Sequence, residues 1–385
     1  IYFIDKKMNL IINRPFPKLT LELFKKNKLE KFYKKLLYFK NGREALLYGL
    51  NQIGITKEMK ILCPAYICNS LTNTLIENGY NLVFYDIELD LKIDLNNIET
   101  IIKKDKISGF IFVYYFGFKL DIAPIKAICK RFDIKLIEDC SHSFLSNYGI
   151  NKKEFIKNIS IYSMRKILPV LDGGALLLHK LPSEVRNQEV SIKLSIKYDL
   201  LYYFERIFEF LITKIPLINI YSKRFLFLKN KLNGILKINN GLNTGKILSQ
   251  PLKYHSIFLN FFLRNSYLKN ISIKRIENYN YLSLEIRKLG FKPLFDTLKE
   301  AEIPQFFVFI DSTGNLVDWL RQNGFGALNW PGDEIPSQIL SNQSDYQNSL
   351  TLNKKLVCIP IHEDLNSKVY YILLKKLRRW KNLFT

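Results

Sequence analysis

Acidic residues, cysteine and metal-ligand clusters are scarce in this sequence of 385 residues, and each scarcity excludes something. Asp and Glu number 35 against 58 Lys and Arg, so the formal net charge is +23. Such a surplus of positive charge favours binding to nucleic acid, to an anionic membrane or to phosphorylated substrates. The lysines, however, are scattered among Ile and Asn rather than gathered in one block. The charge alone therefore decides little about function.

Five cysteines form no recognisable framework. Their number is odd, Cys63 and Cys68 are too far apart for a C-x-x-C motif, and no cysteine has a histidine at metal-ligand spacing. We therefore expect no metal site and a reducing, cytoplasmic environment.

Long apolar runs are also missing. The N-terminal stretch IYFIDKKMNLII is interrupted by charges and lacks the apolar core of a signal peptide. No run is long enough to span a bilayer, so we expect no membrane span.

Helical and strand patterns alternate from about Phe39 to His179. The helical segments are EALLYGLNQIG, NSLTNTLIENG, DLNNIETIIKK and IAPIKAICKRF. The strand segments are KILCPAY, NLVFYDI, GFIFVYY, IKLIEDC, ISIYS and GALLLH. Continuous apolar strands between helices predict an α/β fold with a mostly parallel sheet covered on both faces. Ligands of such sheets lie beyond the carboxyl ends of the strands, where Asp139 and Cys63-Pro64 occur.

The second half changes character. Leu200, Phe204, Phe208 and Leu211 form one helical stripe, which favours a core or subunit interface over a membrane-surface helix. From about residue 266 a long helix, the strands QFFVFID and LVCIPI and a terminal helix predict a smaller α/β unit. We expect two domains, 1–250 and 251–385, with the core of the first at about 38–180.

The segment SIYSMRKILPVLDGG contains the most informative lysine. Most lysines are solvated, but Lys166 follows a strand and precedes an apolar stretch. Partial burial beside Arg165 favours a depressed pKa and a nucleophilic amine, as a Schiff base with an aldehyde cofactor requires. The serine three residues earlier, Ser163, could donate to a phosphate on that cofactor.

Pyridoxal phosphate also needs an acid at its ring nitrogen and donors for its phosphate. Asp139, at a strand end, is placed for the first task, although it could equally cap a helix. Asn41-Gly42-Arg43 heads a helix whose free amides could bind the phosphate, although Asn-Gly also serves any turn.

These motifs, in this order along the chain, resemble the pyridoxal-phosphate-dependent sugar aminotransferases of the DegT/StrS type. The resemblance covers about residues 38–180 and returns in the tail CIPIHEDLNSKVYYILLKKL. It implies an aspartate-aminotransferase-like (type I) large domain and a smaller α/β C-terminal domain. A homodimer with its sites at the subunit interface is also implied.

The resemblance assigns roles to particular residues. Lys166 falls on the Schiff-base lysine, Asp139 on the acid at the ring nitrogen and His142 on the position that contacts the ring hydroxyl. The phosphate-binding positions fall on Gly42, Arg43, Glu44 and Ser163, with Ser160 as the alternative serine. The aromatic position over the ring holds Cys68, so Tyr66 is the alternative stacking residue. Asn243 and Lys246 fall on a partner-subunit loop only faintly.

The implied activity is transfer of an amino group, most simply from glutamate, to a keto-sugar linked to a nucleotide. It would serve surface polysaccharide or amino-sugar biosynthesis. Two other interpretations stay open. One is a non-catalytic or regulatory member of the fold, against which Lys166 and Asp139 argue. The other is a basic protein that binds membrane or nucleic acid, for which no aromatic-interleaved nucleic-acid motif is present.

Overall fold

A seven-stranded sheet organises the first half of the molecule. The computed structural model describes residues 36–146, 158–168, 170, 173–179, 263, 267–332 and 335–384. The strands are β1 (Leu37–Phe39), β2 (Lys60–Pro64), β3 (Asn81–Tyr85), β4 (Ile107–Val113), β5 (Lys135–Asp139), β6 (Ile159–Ser163) and β7 (Gly174–Leu178). Their order is β1-β7-β6-β5-β4-β2-β3, and only β7 runs antiparallel to its neighbours. The mostly parallel sheet predicted from the apolar strands is confirmed.

Among the described residues, the helices that connect these strands are α1 (Gly42–Gln52), α2 (Asn69–Glu77), α3 (Leu95–Lys104) and α4 (Ala123–Arg131). Local chemistry sets their starts. Asp94 caps α3 by accepting from the amides of Asn96 and Asn97, and a proline lies in the first turn of α4. Strands such as β4 and β5 are buried almost throughout, which explains their continuous apolar sequences.

The second half contains a two-stranded antiparallel sheet, β8 (Phe306–Ile310) with β9 (Leu356–Pro360). The helices around it are α5 (Tyr267–Lys288), α6 (Leu316–Gln322), α7 (Ser337–Leu340), α8 (Gln347–Lys355) and α9 (Ser367–Phe384). The predicted strands, long helix and terminal helix are all present. The boundary at 250 and the stripe from Leu200 to Leu211 lie outside the described residues, so both stay predictions.

The C-terminal unit packs against the carboxyl edge of the large sheet. The Glu302 carboxylate accepts from the Lys119 amide at 2.6 Å, just after β4. The Asp86 carboxylate, just after β3, accepts from the Ser349 amide at 2.9 Å at the start of α8. These contacts bring the loop that contains Trp330 over the edge where β2, β4 and β5 end.

No helix among the described residues has both the length and the apolar character needed to cross a membrane. Across the same residues, no group of three acidic, His or Cys side chains could hold a metal ion.

Candidate active site

The residues that the sequence singles out converge on one edge of the large sheet. Asp139 is the last residue of β5 and Ser163 the last of β6, and β7 begins at that edge with Gly174. Strand β1 ends there too, because Phe39 pairs with Gly174, and α1 follows within three residues. The topology thus brings together positions that are more than 120 residues apart in the chain.

The head of α1 lies unusually close to the start of β7. A Cβ added to Gly174 would lie 2.1 Å from the backbone carbon and oxygen of Asn41, a distance no side chain tolerates. A Cβ on Gly42 would lie 4.0 Å from Cβ of Ser163. Glycine at 174 therefore allows the helix head and the Ser163 side chain to form one small cradle.

Two amides in this cradle already have a partner. The Asn41 side-chain oxygen accepts from the amides of Arg43 and Glu44, both at 3.1 Å, and its NH₂ group donates to the Glu44 carboxylate at 3.0 Å. Burial raises the pKa of Glu44 despite the nearby Lys40. The predicted phosphate contacts of Arg43 and Glu44 thus require the Asn41 side chain to move, whereas Gly42 and Ser163 need no such change.

Lys166 ends a single 3₁₀ turn, Met164–Lys166, directly after β6, and its side chain is half-buried. Gly173 stabilises this turn: its carbonyl accepts from the Met164 amide at 2.7 Å, and its amide donates to the Lys40 carbonyl at 3.0 Å. Its φ of 152° favours glycine. The predicted placement of the lysine at the rim of the core is confirmed.

Asp139 is buried at the end of β5. One carboxylate oxygen, Oδ1, accepts from the Ser141 amide at 2.9 Å. Within the described part of the chain, Oδ2 has no hydrogen-bond partner. The hydrogen bond from the Ser141 amide fixes the carboxylate, three residues before His142, and leaves the other oxygen for a ligand.

His142 is enclosed by aromatic rings. It is 3% exposed, its ring is parallel to that of Phe116 with centroids 5.5 Å apart, and the Trp330 ring meets it edge-on at 4.9 Å. Its Nδ1 accepts from the Phe116 amide at 3.2 Å. Burial and, secondarily, the positive charge of Lys166 hold the pKa of His142 well below its usual value. The imidazole is therefore neutral at physiological pH, and it lies near enough to Lys166 to sense its charge.

Tyr66 belongs to the same aromatic group. Its hydroxyl donates to the Trp330 carbonyl at 2.6 Å, and its own carbonyl accepts from the Tyr115 hydroxyl at 2.6 Å. Burial raises the pKa of Tyr66 well above 10, so the phenol stays protonated. Cys68 is half-buried at the start of α2, with Sγ 3.2 Å from the Ser70 hydroxyl. Stacking of either side chain on a cofactor stays a prediction.

The two candidate serines occupy different environments. Ser160 lies within β6, fully buried, and its hydroxyl is 3.0 Å from Nε2 of His179. Ser163 is three residues further on, so it points to the opposite face of the strand at the carboxyl edge. The structure brings Ser163, and not Ser160, beside Gly42.

Asn243 and Lys246 lie outside the described residues. The sequence analysis missed Phe116 and Trp330, the two rings that contact His142. Trp330-Pro331-Gly332 carries a turn signal, but nothing local links it to a histidine 188 positions earlier.

Known proteins resemble the region of the chain that forms this edge of the sheet. The DegT/DnrJ/EryC1/StrS aminotransferase family model matches residues 28–182. This segment of the chain is similar to that family. The match contains the whole large sheet and every predicted site residue that the structure describes.

Two curated relatives match this chain over only part of their length. The chain is 26% identical over 137 residues to GDP-perosamine synthase of Vibrio cholerae, which is 35% of this chain and 37% of that protein. It is 29% identical over 107 residues to the UDP-4-amino-4,6-dideoxy-N-acetyl-beta-L-altrosamine transaminase of Helicobacter pylori. This match covers 27% of this chain and 28% of that protein. The matched segments thus span about a third of these relatives.

Two solved structures extend the likeness of the fold to nearly the whole chain. Helicobacter pylori PseC, an aminotransferase involved in the biosynthesis of pseudoaminic acid, is 16% identical with a TM-score of 0.63, covering 94% of this chain and 97% of that one. The ntda protein of Bacillus subtilis, solved with bound cofactor PMP, is 13% identical with a TM-score of 0.58. The match covers 89% of this chain and 72% of that one. These likenesses confirm the predicted type I fold.

Proposed function

We propose that the protein is a pyridoxal-phosphate-dependent aminotransferase acting on a keto-sugar linked to a nucleotide. The observation that carries this proposal is the meeting of Lys166, Asp139, His142 and Ser163 at one sheet edge. An amine, a buried carboxylate, a neutral imidazole and a hydroxyl are the donor set that this cofactor requires.

The residues at this edge fit the cofactor on structural grounds. Asp139 Oδ2 has no partner among the described residues, and helix α1 begins at Gly42, next to the end of β6. Ser163 offers a hydroxyl beside it. When bound, pyridoxal phosphate supplies an electron sink for the carbon that gains or loses the amino group.

Each residue then has a defined task. The Lys166 amine would hold the cofactor and would carry a proton to and from the substrate carbon. The Asp139 carboxylate would keep a proton on the ring nitrogen, since an adjacent anion favours the protonated form. His142, neutral because it is buried, would donate from Nε2 to the ring hydroxyl. Ser163 would donate to the phosphate.

The substrate class rests on the relatives. Two curated relatives are named for a GDP-linked and a UDP-linked amino sugar. We propose a nucleotide-linked keto-sugar as acceptor, glutamate as the simplest donor, and amino-sugar or surface polysaccharide biosynthesis as the pathway. A homodimer in the cytoplasm is part of the same proposal.

Half-reactions test the function. Glutamate added to the cofactor-loaded protein should convert its visible absorbance band to that of the pyridoxamine form and yield 2-oxoglutarate. A nucleotide-linked keto-sugar should then restore the band. If no amino acid converts the cofactor, yet a sugar nucleotide loses water, the protein is a dehydratase of the same fold. If the protein binds no cofactor, the non-catalytic interpretation replaces ours.

A further inference from the structure

Phe116 adopts a backbone conformation that few non-glycine residues adopt. Its φ is 54° and its ψ 17°, in the left-handed region, and its side chain is fully buried. This conformation is unfavourable for a residue with a Cβ. Such strain persists only where the surrounding contacts impose it, and here the contacts are specific.

Both backbone polar groups of Phe116 have defined partners. Its amide donates to Nδ1 of His142 at 3.2 Å, and its carbonyl accepts from the Gln305 amide at 2.7 Å. The next residue, Gly117, lies so close to the same C-terminal segment that an added Cβ would be 2.4 Å from the Ile303 carbonyl. Phe116 therefore connects His142 directly to the entry of β8.

The bond from the Phe116 amide decides the tautomer of His142. A backbone N–H can only donate, so Nδ1 must present its lone pair. A neutral imidazole with an acceptor at Nδ1 carries its proton on Nε2.

Trp330 completes the enclosure of the imidazole. Its ring lies edge-on to His142, and its carbonyl accepts from the Tyr66 hydroxyl at 2.6 Å, which fixes the loop over the site. The cation that acts on His142 is Lys166. The phenols of the same cluster, Tyr66 and Tyr115, keep their protons because burial raises their pKa values.

We infer that Phe116 and Trp330 are positioning residues that hold His142 as a neutral imidazole with its proton on Nε2. Phe116 acts through its amide and parallel ring, and Trp330 acts by excluding water from the imidazole. The C-terminal unit thereby controls a hydrogen-bond donor in the site formed by the large sheet. That this donor serves the cofactor's ring hydroxyl rests on the proposed function, but its tautomer does not.

Ring-nitrogen NMR on the full chain without added cofactor tests the tautomer directly. Histidine labelled with ¹⁵N gives four sets of signals, since the chain has four histidines, and His142→Gln assigns one set. We expect the His142 signals to show a protonated Nε2 and an unprotonated Nδ1 from pH 8 down to about 6 without titration. A proton on Nδ1, a tautomer mixture or a titration near the ordinary pKa of about 6.5 would overturn the inference.

A matched pair of tryptophan variants tests the role of Trp330. Trp330→Leu should admit water, so the His142 pKa should rise toward its ordinary value and a titration should appear above pH 5. The ring of Trp319 in α6 packs on Trp380 in α9, away from His142, so Trp319→Leu should leave the His142 signals unchanged. If a folded Trp330→Leu shows no titration, Trp330 is not a positioning residue. Trp330→Phe provides the same comparison if the leucine variant does not fold.

A glycine variant separates the effect of the Phe116 amide on His142 from the effect of the Phe116 ring. Phe116→Gly keeps the amide and suits a φ of 54°, so the proton should stay on Nε2 while loss of the ring raises the His142 pKa. A change of tautomer in this variant, with the chain folded, would contradict the role given to the amide. Because none of these readouts needs cofactor, a protein that lacks transaminase activity could still pass every one of them.

Discussion

The large sheet and the C-terminal unit contribute to the same site in different ways. The described residues between 36 and 179 lie within the segment that matches the family model, and they contain the side chains to which we assign chemical roles, at or shortly after the ends of strands. Residues 267–384 lie outside that match, yet they supply the Trp330 ring that covers His142 and the Gln305 amide that holds Phe116. The difference indicates that one region supplies reactive groups, whereas the other sets their environment.

The largest effect should come from the lysine itself. Lys166→Ala should abolish the visible absorbance band of bound cofactor, because the amine that attaches it is gone. The far-UV spectrum should stay that of the folded chain, since the side chain is only half-buried at the rim of the core.

Lys119→Ala is the matched control for that variant. Lys119 is exposed, lies beyond the end of β4 and contributes its backbone amide rather than its side chain to Glu302. The band should survive in this variant. Loss of the band in both variants, or in neither, would remove the basis for assigning the chemistry to Lys166.

The close approach of β7 to α1 should be visible in stability without cofactor. Gly174→Ala places a Cβ against the Asn41 backbone, which cannot rotate away, so the free energy of unfolding should fall by about 1–3 kcal/mol or more. The Cβ that Gly42→Ala adds would lie 3.6 Å from the Tyr162 carbonyl and 4.0 Å from Cβ of Ser163, both ordinary contacts, so this variant should change stability much less. Urea denaturation measures both. If both variants lose the same free energy of unfolding, the start of α1 does not lie as close to Gly174 as we describe.

The smallest expected effect is on the affinity for the cofactor, through its phosphate group. Ser163→Ala should weaken cofactor binding by about 1–3 kcal/mol, roughly 5-fold to 150-fold in Kd, as expected for one charge-assisted hydrogen bond. Ser160→Ala, which removes a contact with His179 inside the sheet, should leave Kd nearly unchanged. The reverse pattern in a cofactor titration would show that Ser160 is the phosphate-binding serine.

Sequence patterns predicted most of the fold because buried parallel strands are continuous apolar runs. They missed β1, which has three residues, and α7 and α8, which are short and weakly patterned. The convergence of Asp139 and Ser163 was predictable because carboxyl ends of parallel strands meet at one edge.

Long-range and side-chain details were not predictable in the same way. The contact of Tyr66 with Trp330 joins residues 264 positions apart, and no periodicity encodes it. The left-handed conformation of Phe116 follows from its tertiary contacts, because phenylalanine has no intrinsic preference for it. The bond from the Asn41 side chain to the amides of α1 was likewise hidden, since Asn-Gly suits a turn as well as a cap.

Chemical trapping tests the central claim most directly. Borohydride reduction of the cofactor-loaded protein, followed by proteolysis and mass spectrometry, locates the lysine that binds pyridoxal phosphate. We predict that the modified peptide contains Lys166 and that glutamate added before reduction prevents the labelling, because the cofactor then carries the amino group of glutamate as the pyridoxamine form and is no longer bonded to the lysine. Labelling of a different lysine, or no labelling of a protein that is saturated with cofactor, would contradict the account.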